Sequence, residues 1–118
     1  MKFQKLLQKL KKNSNHPVHQ VSAVIAKKNQ IISIGFNKYK THTKSLHPWH
    51  YLHAEADAIL KIKDLTKLKG SDIYIYREHR NGTPALSKPC ESCFKMIKKY
   101  DIKNIFYIEN YKFVKTST

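Results

Sequence analysis

Four side chains in two short segments have the types and the spacing of a metal site. His53 and Glu55 are two residues apart, and Cys90 and Cys93 are three apart. One imidazole and two thiolates suit Zn²⁺, and a set of three ligands leaves the fourth tetrahedral position open for water, as in catalytic zinc sites. A carboxylate beside the histidine could move the protons of that water. The residues therefore predict a hydrolytic zinc site, with Glu55 as its acid and base.

Each segment is expected to lie at the start of a helix. The apolar pattern turns helical at His53 and ends at Gly70, and a second helix is predicted from Pro89 to about Tyr100, with Ser87 as its cap. The positive end of a helix dipole favours thiolates. A spacing of three puts both cysteines on one helical face, so two adjacent helices would bring the ligands together.

Other interpretations of these segments exist. A single CxxC is more often redox-active or part of a structural zinc knuckle, for which other histidines could supply a fourth ligand. A single HxE has little meaning by itself. The two together, each opening a helix, favour a catalytic site.

The remaining pattern indicates how the site is positioned. The order of helix, strand, strand, helix, strand, helix and strand predicts one α/β domain spanning residues 1–118, with a mixed sheet, an antiparallel hairpin at one side and helices on both faces. The predicted parts are an N-terminal helix within 1–13, hairpin strands at 18–26 and 31–36, a long loop at 37–52, strands at 73–76 and 105–108, and a short strand or tail at 111–118.

Composition limits the classes of function. The chain carries 23 Lys and Arg against 8 acids, a formal net charge of +15, which attracts phosphates on nucleotides or on polymers. Lysine spread along a whole chain is also typical of a solvated surface. No run of apolar residues is long enough for a membrane span, and no signal peptide is recognisable. The single CxxC favours a reducing, cytoplasmic setting.

The two segments together resemble the H-x-E…P-C-x-x-C signature of the zinc-dependent cytidine and deoxycytidylate deaminase superfamily. The resemblance extends from about Val18 to about Tyr107 and implies a three-layer αβα sandwich around a mixed sheet of four to five strands. It also implies site roles: Zn²⁺ on His53, Cys90 and Cys93, proton transfer by Glu55, a pyrimidine carbonyl on the backbone of Ala54, and a sugar on Asn37 of a Gly-x-Asn segment.

Within the superfamily the chain is most similar to small deoxycytidylate deaminase-like proteins of phages and other viruses. Free-nucleoside cytidine deaminases usually have cysteine where this chain has His53, and the tRNA enzymes usually have Glu-Pro-Cys where it has Lys88 before Pro89. The resemblance implies hydrolysis of dCMP to dUMP and ammonia by a homo-oligomer, in the host cytoplasm if the source is a virus. The alternatives are a deaminase of a base in RNA or single-stranded DNA, including a tRNA adenosine deaminase-like enzyme, a nucleoside or dCTP deaminase, and a basic zinc-stabilised nucleic-acid-binding module.

Further substrate contacts are predicted mainly in the loop 37–52. Trp49 could stack on a base, and Tyr107 on a later strand could touch it. Four histidines cluster before the first site helix, namely His42, His47, His50 and His53. They could form a second zinc site, although lining the substrate cleft is the favoured interpretation. The candidate phosphate ligands are Lys40, His42, Lys44 and Arg77.

Overall fold

A mixed β-sheet lies between helices on both of its faces. The computed structural model describes residues 3–13, 20–39, 51–79 and 81–118. The elements are α1 (Gln4–Leu10), β1 (Gln20–Lys27), β2 (Gln30–Phe36), β3 (Lys38–Tyr39), β4 (Tyr51–Leu52), α2 (Ala54–Leu60), β5 (Asp72–Glu78), β6 (Pro84–Ala85), α3 (Glu91–Lys99), β7 (Asn104–Glu109) and β8 (Lys112–Ser117), with short 3₁₀ turns at Lys11–Asn13 and Leu65–Leu68.

The strand order of the main sheet is β2-β1-β5-β7-β8, and the short β6 also pairs with β5. The β5–β7 pair is parallel, and all the other pairs in this sheet are antiparallel. The parallel pair is joined through α3, which is the crossover expected from alternating strands and helices. The predicted α/β fold with a mixed sheet and an antiparallel hairpin is therefore confirmed, with six strands in the main sheet.

The two faces of the sheet carry separate apolar clusters because side chains alternate along each strand. Ile73 and Ile75 of β5 pack under α2 and α3, whereas Tyr74 and Tyr76 lie on the opposite face with Leu7 of α1. The N-terminal helix thus forms the third layer on its own. Among the described residues, no helix is long and apolar enough to cross a membrane.

Two segments differ in detail from the sequence-based expectations, and the C-terminal segment takes one of its two predicted forms. The helix after His53 ends at Leu60 and not at Gly70, because Asp64 accepts a hydrogen bond from the Thr66 N–H at 3.1 Å and starts a 3₁₀ turn instead. The ends of the predicted loop 37–52 pair as β3 and β4. The C-terminal segment is a strand, β8, joined to β7 through Asn110 and Tyr111, which both have positive φ, as in tight hairpins.

Candidate active site

Three potential metal ligands converge between the starts of α2 and α3. His53 immediately precedes α2, Cys90 immediately precedes α3, and Cys93 lies in the first turn of α3. The His53 Nδ1 atom is 3.3 Å from the Cys93 Sγ and 3.6 Å from the Cys90 Sγ. All three ligand atoms lie within 4.8 Å of one another, and neither cysteine is in a disulfide.

This donor set fits zinc. Tetrahedral Zn²⁺ with ordinary Zn–S and Zn–N bonds separates a sulfur and a nitrogen ligand by about 3.5 Å, and two sulfurs by about 3.8 Å. The two nitrogen–sulfur distances of 3.3 and 3.6 Å agree with that requirement. A closed structural site would need a fourth protein ligand, and none joins the cluster among the described residues. As far as the described part of the chain goes, the arrangement has the ligand count of an open, catalytic zinc site.

The start of α2 is held against β2 by close backbone packing. A Cβ atom at Gly35 would lie 2.5 Å from the Ala54 carbonyl oxygen and 2.6 Å from the Ala58 nitrogen. Only glycine allows an approach this close. A second connection is made by Asp57, whose carboxylate accepts the Phe36 N–H at 3.2 Å. These contacts fix the part of α2 that carries the site residues.

The segment before α3 is fixed by Ser87, but not as a helix cap. Its hydroxyl donates to the Ile75 carbonyl at 2.8 Å and accepts the Ile108 N–H at 2.6 Å, so it bridges β5 and β7. The predicted cap was wrong because α3 begins at Glu91, with Cys90 as the residue before its first turn. Ser87 instead anchors the segment that leads to the two cysteines.

Glu55 lies in the first turn of α2 and is only 5% exposed. Burial raises the pKa of its carboxyl, and hydrogen bonds with its own backbone and with the Cys93 thiol oppose that shift less strongly. Burial also raises the pKa of the Cys93 thiol, and the charges of Glu55 and Cys90 add to the effect. A raised pKa makes the carboxylate a stronger base, which suits a group that accepts a proton from water.

A cleft of about 180 Å³ opens beside these residues. It lies beside the C-terminal half of β5, in keeping with the usual ligand position at the carboxyl ends of strands in open α/β sheets. Its walls combine the metal cluster and Glu55 with residues from β1, β5 and the segment before α3. The lining residues are Val21, Asn37, His53, Ala54, Glu55, Ile75, Arg77, Leu86, Ser87, Lys88 and Cys90.

The predicted substrate residues fall into three groups. Asn37, Ala54 and Arg77 line the cleft, and the Asn37 side-chain oxygen accepts the Val21 N–H at 3.0 Å. Tyr107 is 8% exposed in the core under α2 and α3 and is not among the lining residues, because its alternating position in β7 faces the core. Outside the described residues lie Lys40, His42, Lys44 and Trp49, together with His47 and His50 of the predicted histidine cluster.

The sequence interpretation missed several residues of the cleft walls. Val21, Leu86 and Lys88 line the cleft, although none belongs to either motif. Lys88 could have been found, since it lies two residues before Cys90. Val21 could not, because it reaches the cleft only through the antiparallel pairing of β1 with β5, where it lies opposite Arg77.

Comparisons with known proteins agree with this geometry. The family model described as "Cytidine and deoxycytidylate deaminase zinc-binding region" matches residues 1–109. An uncharacterized deaminase encoded in the luxG 3′ region of Aliivibrio fischeri is 33% identical over 101 residues, which cover 79% of this chain and 60% of that protein. The chain thus spans less than two thirds of the length of this curated relative.

Two solved structures are similar in fold. The dCMP deaminase of cyanophage S-TIM5 is 25% identical with a TM-score of 0.65, over 87% of this chain and 76% of that one. A cytidine deaminase from Burkholderia pseudomallei is 14% identical with a TM-score of 0.69, over 96% and 87% of the two chains, which supports the fold alone. The family match over most of the chain, together with a ligand set that fits zinc, leads to one conclusion. This chain belongs to the zinc-binding cytidine and deoxycytidylate deaminase family.

Proposed function

We propose that this chain is a zinc-dependent hydrolase that deaminates a cytosine nucleotide, with dCMP as substrate and dUMP and ammonia as products. The observation that carries the proposal is the buried Glu55 carboxyl in the wall of a cleft that also contains His53 and Cys90. A structural zinc module has no need for a buried acid with a raised pKa beside an open cleft. Hydrolysis needs both an activated water and a group that moves its protons.

The division of roles follows from the donor types. His53, Cys90 and Cys93 would hold the metal, which when bound lowers the pKa of a coordinated water towards neutrality. Glu55 would accept a proton from the attacking water and deliver it to the ring nitrogen of the cytosine. The same carboxyl would then accept the remaining proton of that oxygen, as the carbonyl forms, and deliver it to the departing amine, which leaves as ammonia. Burial supports this cycle because it raises the pKa of Glu55 towards that of a zinc-bound water, the group from which it would accept a proton.

Substrate orientation is assigned to polar groups on the cleft wall. The Asn37 amide, whose oxygen is held by the Val21 N–H, would contact the sugar, and the backbone of Ala54 would bind the pyrimidine carbonyl. Ala54 lies in α2 and Asn37 directly follows β2, the two elements held together by the packing at Gly35. A ring held by these two contacts would present its amino-bearing carbon to the metal end of the cleft.

The choice of dCMP is supported by the cyanophage S-TIM5 dCMP deaminase, which is similar to this chain and has also been solved in complex with dCMP and dUMP. Other substrates for the same chemistry are the free nucleoside, dCTP and a base within a polynucleotide. The predicted homo-oligomer stays a prediction.

A substrate panel tests the proposal. The zinc-loaded protein is incubated with deoxycytidine, dCMP, dCTP, a cytosine-containing single-stranded DNA and an adenosine-containing RNA hairpin, and the release of ammonia is measured. We expect the highest kcat/KM with dCMP. Turnover of a polynucleotide alone would contradict the nucleotide assignment, and no turnover of any cytosine compound would contradict the deaminase assignment.

A further inference from the structure

The described lining of the cleft carries more cationic than anionic side chains. Two cationic side chains, Arg77 and Lys88, line it, whereas Glu55 is the one carboxyl among the lining residues described. Glu55 is buried and adjoins the metal ligand Cys93. The cations come from β5 and from the segment before Cys90. This charge distribution favours a ligand that carries negative charge in addition to a base.

Arg77 belongs to β5, the central strand of the main sheet, and not to a loop. It follows Ile73 and Ile75 on the face of β5 that packs against α2 and α3, and its register partners are Val21 of β1 and Ala85 of β6. Its side chain is half-buried, and one terminal nitrogen, Nη1, donates to the Leu86 carbonyl at 3.4 Å. The guanidinium thus lies at the cleft wall, where it can donate a charge-assisted hydrogen bond to an oxyanion.

The adjacent acid in the sequence does not neutralise this wall. Glu78 follows Arg77 directly, but alternation along β5 turns its side chain to the opposite face of the sheet. There its carboxylate pairs with Lys11 of the segment after α1 at 2.9 Å and accepts the hydroxyl hydrogen of Tyr76. The Glu78 carboxylate is therefore paired on the face of the sheet that packs against α1, opposite the face that carries the cleft.

The cleft also offers apolar surface beside the cations. Val21 and Ile75 line its wall, and Leu86 lies at the same wall with 55% of its surface exposed. An apolar surface next to a guanidinium suits a ligand with a flat ring or sugar at one end and an anion at the other.

We propose that Arg77, assisted by Lys88, forms a phosphate-recognition subsite that makes the enzyme selective for nucleoside phosphates over nucleosides. This inference rests on the proposed function and deepens it. Phosphate could come from a free nucleotide or from a polynucleotide backbone, and the placement of both cations inside the cleft favours the free nucleotide.

The test compares substrates with and without the phosphate. For the wild type and for Arg77→Met, Arg77→Lys and Lys88→Met, kcat/KM is measured with dCMP, deoxycytidine and a single-stranded oligonucleotide containing one cytosine. Lys98→Met is the matched control, because Lys98 is exposed on α3 and does not line the cleft. Zinc content and melting temperature identify variants that fail to fold.

We expect Arg77→Met to lower the ratio of kcat/KM for dCMP to that for deoxycytidine by roughly 10- to 100-fold, mainly through KM, since a charge-assisted hydrogen bond is lost. Arg77→Lys should retain part of the preference. Lys88→Met, at an exposed position, should lower the ratio by a few-fold even if the Arg77 variants do not fold. Lys98→Met should leave it unchanged.

A ratio that stays at the wild-type value in both the Arg77 and the Lys88 variants would overturn the subsite while leaving the deaminase intact. A dependence on Arg77 confined to the oligonucleotide would overturn the free-nucleotide assignment. If no substrate is turned over, the deaminase proposal fails, and calorimetric binding of dCMP and deoxycytidine decides the subsite separately. At least tenfold weaker dCMP binding in Arg77→Met then supports it, and equal binding overturns it.

Discussion

Replacing Gly35 by alanine should disturb the metal site without changing any residue that touches the metal. The added Cβ would lie 2.5 Å from the Ala54 carbonyl oxygen, about 0.9 Å short of the 3.4 Å at which ordinary contact begins. It would also lie 2.6 Å from the Ala58 nitrogen. Both are backbone atoms, so no side-chain rotation relieves the contact. Either β2 and α2 separate by close to 1 Å, or the strand distorts.

The expected magnitude follows from this displacement. Overpacking of an ordinary core costs about 1–3 kcal/mol, and contacts with rigid backbone belong at the upper end, near 3 kcal/mol. His53 adjoins α2 directly and would move with it. Metal–ligand distances tolerate only about 0.2 Å, and a misplacement of about 1 Å can lower catalysis by about 100-fold. We therefore expect zinc affinity to fall at least about tenfold, and kcat/KM by about 100-fold.

The assay is chemical denaturation combined with competition for zinc against a chromogenic chelator. Gly82→Ala is the control, because Gly82 has a φ of +87°, and its added Cβ would meet no atom within 4 Å. That variant should lose stability through backbone strain alone and keep the zinc affinity. Adding Ala58→Gly to Gly35→Ala should not rescue the site, because it removes only the 2.9 Å contact with the Ala58 Cβ. Wild-type zinc affinity and stability in Gly35→Ala would refute the reasoning.

Two further predictions concern the α3 side of the site. Ser87→Ala should lower the free energy of unfolding by about 2–3 kcal/mol and weaken zinc binding, because a buried carbonyl and a buried N–H lose their shared partner. Ser117→Ala, at an exposed position, is the control. Equal denaturation midpoints for the wild type and Ser87→Ala would contradict the bridge. Because the pKa of the Cys93 thiol is raised, zinc must displace its proton near neutral pH. The apparent zinc affinity should therefore rise about tenfold per pH unit for each proton released. Competition titrations between pH 6 and 8 measure this slope, and an affinity that does not change with pH would contradict the coupling.

Much of the metal cluster could be predicted because its determinants are local. His53, Cys90 and Cys93 each lie at or near a helix start, and that placement follows from short-range sequence patterns. Convergence of the two helix starts depends on one parallel crossover, which the alternation of strands and helices indicates. The fold class and the zinc ligands therefore needed little information from distant parts of the chain.

The cleft walls depend on long-range pairing, which sequence patterns describe poorly. Arg77 and Val21 meet because β1 and β5 are antiparallel neighbours in one particular register. Ser87 has the sequence position of a helix cap, yet its hydroxyl bridges two strands, because the chain crosses over their ends there. The early end of α2 likewise reflects a local competition, in which Asp64 captures the Thr66 N–H.

The most direct test of proton transfer by Glu55 is the conversion of dCMP to dUMP by the zinc-loaded wild type and by zinc-loaded Glu55→Gln. The nucleotides are followed by chromatography, and the zinc content of each protein is measured in parallel. Glu91→Gln is the matched control, since Glu91 lies between the two cysteines but is exposed and pairs with Lys95. We predict dUMP formation by the wild type and by Glu91→Gln, and a loss of at least about 100-fold in Glu55→Gln with one zinc retained per chain. Undiminished dUMP formation by zinc-loaded Glu55→Gln would contradict the role of Glu55 in proton transfer.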